Sequence, residues 1–140
     1  MKVQDIMTKE VEVVHPDDSV QEAARRMRVR EVGFLPVCED DRLVGVLTDR
    51  DIVLRSTAEG THPNQSIGRD LMTAPIIYCF DDQDVQEAAK LMEEHQIRRV
   101  AVLSRHDKRL AGVVSLGDIA TKAPEKTSAE VLQSVSEPTE

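Results

Sequence analysis

Aromatic residues are nearly missing from this chain: they make up 2% of it, and tryptophan is absent. Any core must therefore be packed from Val, Ile, Leu, Ala and Met, and aromatic platforms that stack single-stranded nucleic acid are not expected. Cysteine is scarce too. Cys38 and Cys79 are the only two, too few for a disulfide framework, and they read as small core residues in a reducing compartment. Long apolar runs are lacking, so no segment reads as a membrane-spanning helix. Positive charge is in deficit: 18 Lys and Arg stand against 26 Asp and Glu, a net charge of −8. That is the wrong sign for general phosphate-backbone binding. Met1-Lys2-Val3-Gln4-Asp5 leads into no apolar h-region, so no secretory signal is read and a cytoplasmic location is expected. These absences argue against nucleic-acid and membrane partners.

What the chain does have is a repeat. Asp5-Ile6-Met7-Thr8 returns as Asp70-Leu71-Met72-Thr73, and Val20-Gln21-Glu22-Ala23-Ala24 returns unchanged as Val85-Gln86-Glu87-Ala88-Ala89, both 65 positions later. Leu43-Val44-Gly45-Val46-Leu47-Thr48-Asp49-Arg50-Asp51-Ile52 is answered by Leu110-Ala111-Gly112-Val113-Val114-Ser115-Leu116-Gly117-Asp118-Ile119, now 67 positions on. A loop near Asp107-Lys108 has gained two residues. A recurring unit of this size cannot usually bury its apolar face alone, so two copies imply one paired domain. At 140 residues the length agrees.

The copies run over residues 1–58 and 70–123. Residues 59–69 carry linker punctuation, and residues 124–140 form a Glu-, Lys-, Thr- and Ser-rich tail, either flexible or weakly helical with Val131, Leu132 and Val135 on one side. Each copy starts with a short strand, Val11 to Val14 or Ile76 to Cys79. A helix follows, with capping-box spacing at Ser19 and Glu22 and again at Asp84 and Glu87. Val20, Ala23, Ala24 and Met27, like Val85, Ala88, Ala89 and Met92, form a core stripe at helical spacing. Next come a strand, a turn, a second strand and a second helix. The expected fold is α/β in the sense of an α+β sandwich, two β-α-β-β-α repeats.

The element with chemistry in it is Gly45-x-x-Thr48-x-x-Asp51, repeated as Gly112-x-x-Ser115-x-x-Asp118, where a strand ends and a helix begins. A hydroxyl there can bond a phosphate or sugar, and a carboxylate one turn on can accept both hydroxyls of a ribose. The same residues are also good helix caps, so both readings stand. His15, His62, His95 and His106 have no metal-ligand spacing with one another or with the cysteines, and no metal site is expected. The cluster Arg25-Arg26-Met27-Arg28-Val29-Arg30 reads as a solvated helix face. An enzyme needs a nucleophile beside a base, a metal, or two carboxylates in opposed environments. No such set is visible, and the protein is expected not to be an enzyme.

Taken in order, Asp-Ile-Met-Thr and Asp-Leu-Met-Thr, Gly33-Phe34-Leu35-Pro36-Val37 and the two Gly-x-x-Thr/Ser-x-x-Asp elements resemble a tandem pair of cystathionine β-synthase (CBS) domains, the Bateman module. Thr48-Asp49-Arg50-Asp51-Ile52 is typical of small stand-alone bacterial members, and the chain is similar to the hypoxic-response type among them. The resemblance covers about residues 1–123. It implies a pseudo-twofold pair, with clefts between the repeats that bind AMP, ADP, ATP, NAD or S-adenosylmethionine. It carries the ribose carboxylate onto Asp51 and Asp118, the hydroxyl onto Thr48 and Ser115, and a phosphate-contacting basic pair onto Arg98 and Arg99. Copy one has Gly33-Phe34 where that pair stands, so the second copy is expected to be the better phosphate site. The first is expected to be empty or to hold a less charged adenosyl group. A non-catalytic regulatory sensor with an adenine nucleotide as ligand, no required cofactor and an unknown regulated protein follows, as a homodimer. The alternative is a ligand-free dimeric interaction or stress-response adaptor, in which the same residues only cap helices.

Overall fold

The computed structural model describes residues 1–74, 76–123 and 125–136, and the chain folds as two compact units. One is Val11–Ile76; the other is Met1–Glu10 together with Ile77–Glu140. These are not the two sequence copies. The opening segment of copy one lies in the unit built from copy two, and residues 70–76, which open copy two, lie in the unit built from copy one. Each is a mixed α+β unit, as expected.

The first-repeat unit runs α1 (Val20–Arg30), β1 (Phe34–Glu39), β2 (Arg42–Thr48), α2 (Asp49–Ile52) with a π-helical continuation over Val53–Thr57, and α3 (Gly68–Leu71). β1 and β2 pair antiparallel from Phe34↔Thr48 to Glu39↔Arg42. Asp40 and Asp41 take positive φ at the turn (52° and 62°), a conformation their short polar side chains tolerate.

The strand expected at Val11 to Val14 does not form. Only Val14 bridges β1, donating to the Pro36 carbonyl (3.1 Å) and accepting from Cys38 N–H (2.9 Å). A bridge one residue earlier would need an N–H at position 36, which proline lacks. The second repeat has Ala101 there, and its first strand, β3 (Tyr78–Phe80), pairs parallel with β4 (Arg99–Leu103) from Tyr78↔Ala101 onward. That strand starts two residues later than the sequence suggests.

The second-repeat unit adds α4 (Val85–His95), β5 (Leu110–Ser115), α5 (Leu116–Lys122) and α6 (Glu125–Ser136). Its sheet order is β3-β4-β5, with β5 antiparallel to β4. Among the described residues no helix is long and apolar enough to cross a membrane.

The N-caps form, but without the expected return bonds. Ser19 accepts from Glu22 N–H (3.0 Å), while the Glu22 carboxylate goes to Arg25 and Arg26 (2.8 and 3.1 Å). Those guanidiniums also hold its pKa below the usual glutamate value. Asp84 caps Gln86 N–H instead (2.9 Å). The linker segment 59–69 is tied down over its second half: Val20 donates to Ser66 O, Gln21 to Pro63 O and Gly68 to Asp18 O.

Both cores are aliphatic. Val14, Val20, Ala23, Met27, Leu35, Val37, Leu47 and Leu71 fill one unit. Val3, Ile6, Cys79, Met92, Val100, Val102, Val114 and Ile119 are prominent in the other. Ala24, expected in the stripe, is exposed, whereas its counterpart Ala89 is buried. The difference goes with α6, which packs on α4 and α5 in the second-repeat unit. Pro124, residues 137–140 and the side chain of Val131 lie outside the described residues. The helical part of the tail is docked: Val135 is buried, and Gln96 Nε2 donates to Ser134 O (3.2 Å).

Val135→Ala should therefore cost about 1–3 kcal/mol, the range for removing buried aliphatic carbon. Urea denaturation with unchanged m-value checks it, and an unshifted midpoint would show that α6 contributes no packing.

Candidate functional site

The two strand-to-helix junctions have the same local geometry. Thr48 (φ −115°, ψ 161°) and Ser115 (φ −114°, ψ 162°) leave their strands in nearly identical extended conformations. Thr48 Oγ1 accepts from Asp51 N–H (3.1 Å), and Asp51 Oδ2 accepts from Thr48 N–H (2.9 Å). Ser115 and Asp118 repeat this at 3.0 and 2.9 Å. Both are complete capping boxes, so the residues singled out for ligand contact also hold their helices. Two functions remain open to them. Each hydroxyl accepts in the box, leaving its proton free to donate. Each carboxylate spends Oδ2 on the box, leaving Oδ1 with lone pairs to offer.

Oδ1 has a neighbour that the sequence reading missed. Arg55 Nη1 lies 3.9 Å from Asp51 Oδ1, and Lys122 Nζ lies 3.5 Å from Asp118 Oδ1. Arg55 also donates to Leu71 O (2.8 Å), and Lys122 to Ile6 O (3.3 Å). Leu71 and Ile6 are repeat counterparts, so each unit ties its carboxylate through a base to an opening segment. The signal was present: a basic residue stands four positions after the Asp in both copies, the spacing of neighbours on a helix face.

The glycine of each motif is explained by the same segment. Thr8 exchanges backbone bonds with Val113 (2.9 and 3.0 Å), and Thr73 with Val46 (2.8 and 3.2 Å). A Cβ on Gly112 would run into the Thr8 carbonyl oxygen and sit 3.0 Å from Met7 Sδ. On Gly45 it would sit 2.7 Å from Met72 Sδ and 3.1 Å from Thr73 O. Glycine is there to let the opening segment lie against the strand edge.

The junctions part company at the neighbouring strand. Arg99 pairs with Ser115, and the Arg98 carbonyl accepts from Leu116 N–H (2.8 Å). Both arginines are exposed, and among the described residues neither has an ion pair. In the first repeat Phe34 pairs with Thr48, and Gly33 O accepts from Asp49 N–H (3.0 Å). The structure thus brings Arg98, Arg99, Ser115 and Asp118 to one strand end, and Thr48 and Asp51 to another without a basic pair.

Other polar groups are occupied. Of the arginine cluster on α1, Arg26 binds Glu22 and the Val13 carbonyl, and Arg30 binds Glu12 (3.1 Å); Arg25, Arg28 and Arg30 are exposed, so the face is solvated as expected and carries ion pairs as well. His15, Asp17 and Glu39 bring ligand atoms within 4.8 Å of one another, a grouping that residue spacing did not reveal. Arg69 already bridges it, at 3.1 Å from Asp17 and 3.7 Å from Glu39. His15 Nδ1 accepts from Asp17 N–H (3.0 Å). Burial, with Asp41 and Asp81 adding to it, pushes the Cys38 thiol up to about 11 and the Cys79 thiol up to about 12.

Comparison with known proteins agrees with this arrangement. The family model for the CBS domain matches residues 3–57 and 67–125. Hypoxic response protein 1 of Mycobacterium tuberculosis is 41% identical over 135 residues, 96% of this chain and 93% of that protein. A crystal structure of Hypoxic Response Protein I with two coordinated zinc ions superposes with a TM-score of 0.81 at 42% identity, covering 89% of this chain and 100% of that one. The CBS domain pair of protein MJ0100, in complex with 5′-methylthioadenosine and S-adenosyl-L-methionine, superposes with a TM-score of 0.75 at 28% identity, covering 86% and 93%. In the one grouping of possible ligand atoms among the described residues, His15, Asp17 and Glu39, an ion would have to displace the guanidinium of Arg69 from the two carboxylates.

Gly112→Ala should cost about 1–3 kcal/mol, the usual penalty for overpacking. Gly45→Ala should cost less, because its nearest obstacle is a flexible methionine rather than a backbone carbonyl. Paired urea melts check the order, and equal or reversed losses would refute the contact.

Proposed function

The chain belongs to the CBS-domain family as a tandem pair, a regulatory module, and from that premise we propose that it senses an adenosine-containing nucleotide at the strand-to-helix junctions of its repeats. Asp118 accepts the ribose hydroxyls through Oδ1, Ser115 donates its hydroxyl to the ligand, and Arg98 and Arg99 take the phosphate. Thr48 and Asp51 have the corresponding roles in the first repeat. The observation that carries this reading is the exposed Arg98-Arg99 pair at the strand end of Ser115, without an acidic partner among the described residues. Arginine suits phosphate because its planar fork donates two parallel bonds. The adenosyl ligands of the MJ0100 pair support an adenosine compound, with AMP, ADP, ATP, NAD and S-adenosylmethionine as the candidates. The ligand acts by binding one state of the module, or of its homodimer, better than another. No catalysis is assigned.

One observation favours a second reading, a ligand-free interaction or stress-response adaptor. Both capping boxes are closed, so Thr48, Asp51, Ser115 and Asp118 have structural work without any ligand.

Calorimetric titration with the five candidates separates the two. At least one should bind, and Asp118→Ala should weaken the tightest by about 10- to 100-fold, the loss expected for hydrogen bonds to a charged acceptor. Arg99→Ala should weaken ATP more than ADP, and ADP more than AMP. If no compound binds at millimolar concentration the sensor reading is wrong and the adaptor reading takes its place.

A further inference from the structure

We infer that the Gly33–Asp49 pair sets the ligand class of the first junction, turning phosphates away and admitting an uncharged or cationic adenosine compound. The inference rests on the reading that Asp51 holds a ribose. Backbone bonds establish the equivalence of positions. Gly33 O accepts from Asp49 N–H as Arg98 O accepts from Leu116 N–H, so Gly33 stands for Arg98 and Asp49 for Leu116. In the first repeat the Asp49 carboxylate lies over the glycine. A Cβ built on Gly33 would sit 2.6 Å from Asp49 Oδ2 and 2.9 Å from its Cγ. The carboxylate fills the space in which a side chain at 33 would begin. In the second repeat Leu116 is buried, 6% exposed, and Arg98 is exposed. Gly with Asp stands where the second repeat has Arg with Leu, and a side chain at 33 would oblige the Asp49 carboxylate to move.

The exchange reverses the charge beside the junction. Asp49 Oδ1 accepts from Arg50 N–H (2.8 Å), and among the described residues no cation pairs with this carboxylate. Arg50 stands next along the helix, where adjacent side chains do not face each other. Arg55 is directed at Asp51 and at the Leu71, Met72 and Thr73 groups. A phosphate on a ribose held by Asp51 therefore meets a second carboxylate where the other repeat supplies guanidinium. A sulfonium or other cation on the same sugar meets an attractive charge.

The test uses the full chain in an Asp118→Ala background, which silences the second ribose carboxylate, and titrates adenosine, AMP and S-adenosylmethionine. Adenosine and S-adenosylmethionine should bind better than AMP. Adding Asp49→Asn should raise AMP affinity about two- to fivefold, the scale of a solvent-exposed charge contact, and lower that of S-adenosylmethionine, with adenosine unchanged. Both changes should shrink at high salt. The double exchange Gly33→Arg with Asp49→Leu should favour AMP further. A merely structural Asp49 would move all three ligands together, and that result, or AMP preferred from the start, overturns the inference. Binding in the unaltered protein that disappears in Asp118→Ala also overturns it, while leaving the second junction's assignment standing. No binding in either protein sinks the sensor reading itself.

Discussion

The contact on which each unit depends is the close approach of an opening segment to a strand edge: Thr8 against β5 beside Gly112, and Thr73 against β2 beside Gly45. Hydrogen bonds to a strand edge satisfy groups that would otherwise template association with another chain. Here the partner segment comes from the other copy of the repeat, so neither copy can close its own sheet edge. This gives the duplication a physical reason. A single copy would leave the edge of β2 or β5 open and the turn residues Ile6 or Leu71, both buried, without a core. The glycine in each motif is a requirement of this contact, not of ligand chemistry.

That contact also shapes the junction. The strand edge, the cap and the opening segment are joined by the base four residues after the Asp. Arg55 spans Asp51 and Leu71 O, and Lys122 spans Asp118 and Ile6 O. These are half-exposed pairs at 3.9 and 3.5 Å, so little of the unit's stability comes from the charges themselves. Their effect is positional. Oδ2 of each carboxylate is held by a backbone amide and Oδ1 is directed toward the base. A ligand that takes Oδ1 has to share it with a cation already bonded to the opening segment.

Much of this was legible in the amino-acid order, because the determinants are local. The apolar stripes at helical spacing, the Ser19 and Asp84 caps, the two hairpins and the paired hydroxyl and carboxylate all depend on residues within a turn of one another. The Val11 to Val14 strand failed for a reason the sequence did contain. Pro36 removes a donor from the facing strand, but the consequence appears only once that strand is known to be the partner. Ala24 and Ala89 are identical in pattern and differ in burial, since α6 packs against one helix and the other has no such neighbour. The exchange of opening segments and the gathering of His15, Asp17, Glu39 and Arg69 depend on tertiary placement. No spacing rule reaches across 52 residues from Asp17 to Arg69.

The strongest functional information is in the places where two copies of one geometry differ in chemistry. Thr48 and Ser115 share a backbone conformation to within a degree, and their capping bonds agree to within 0.1 Å. The requirements of the cap are therefore the same in both units, and what varies lies beside it. Gly33 with Asp49 stands where the second unit has Arg98 with Leu116. The Asp49 carboxylate occupies the space in which a side chain at 33 would begin, and Leu116 belongs to the second unit's core. The difference in packing thus goes with opposite charge beside the two junctions, a carboxylate at one and two guanidiniums at the other.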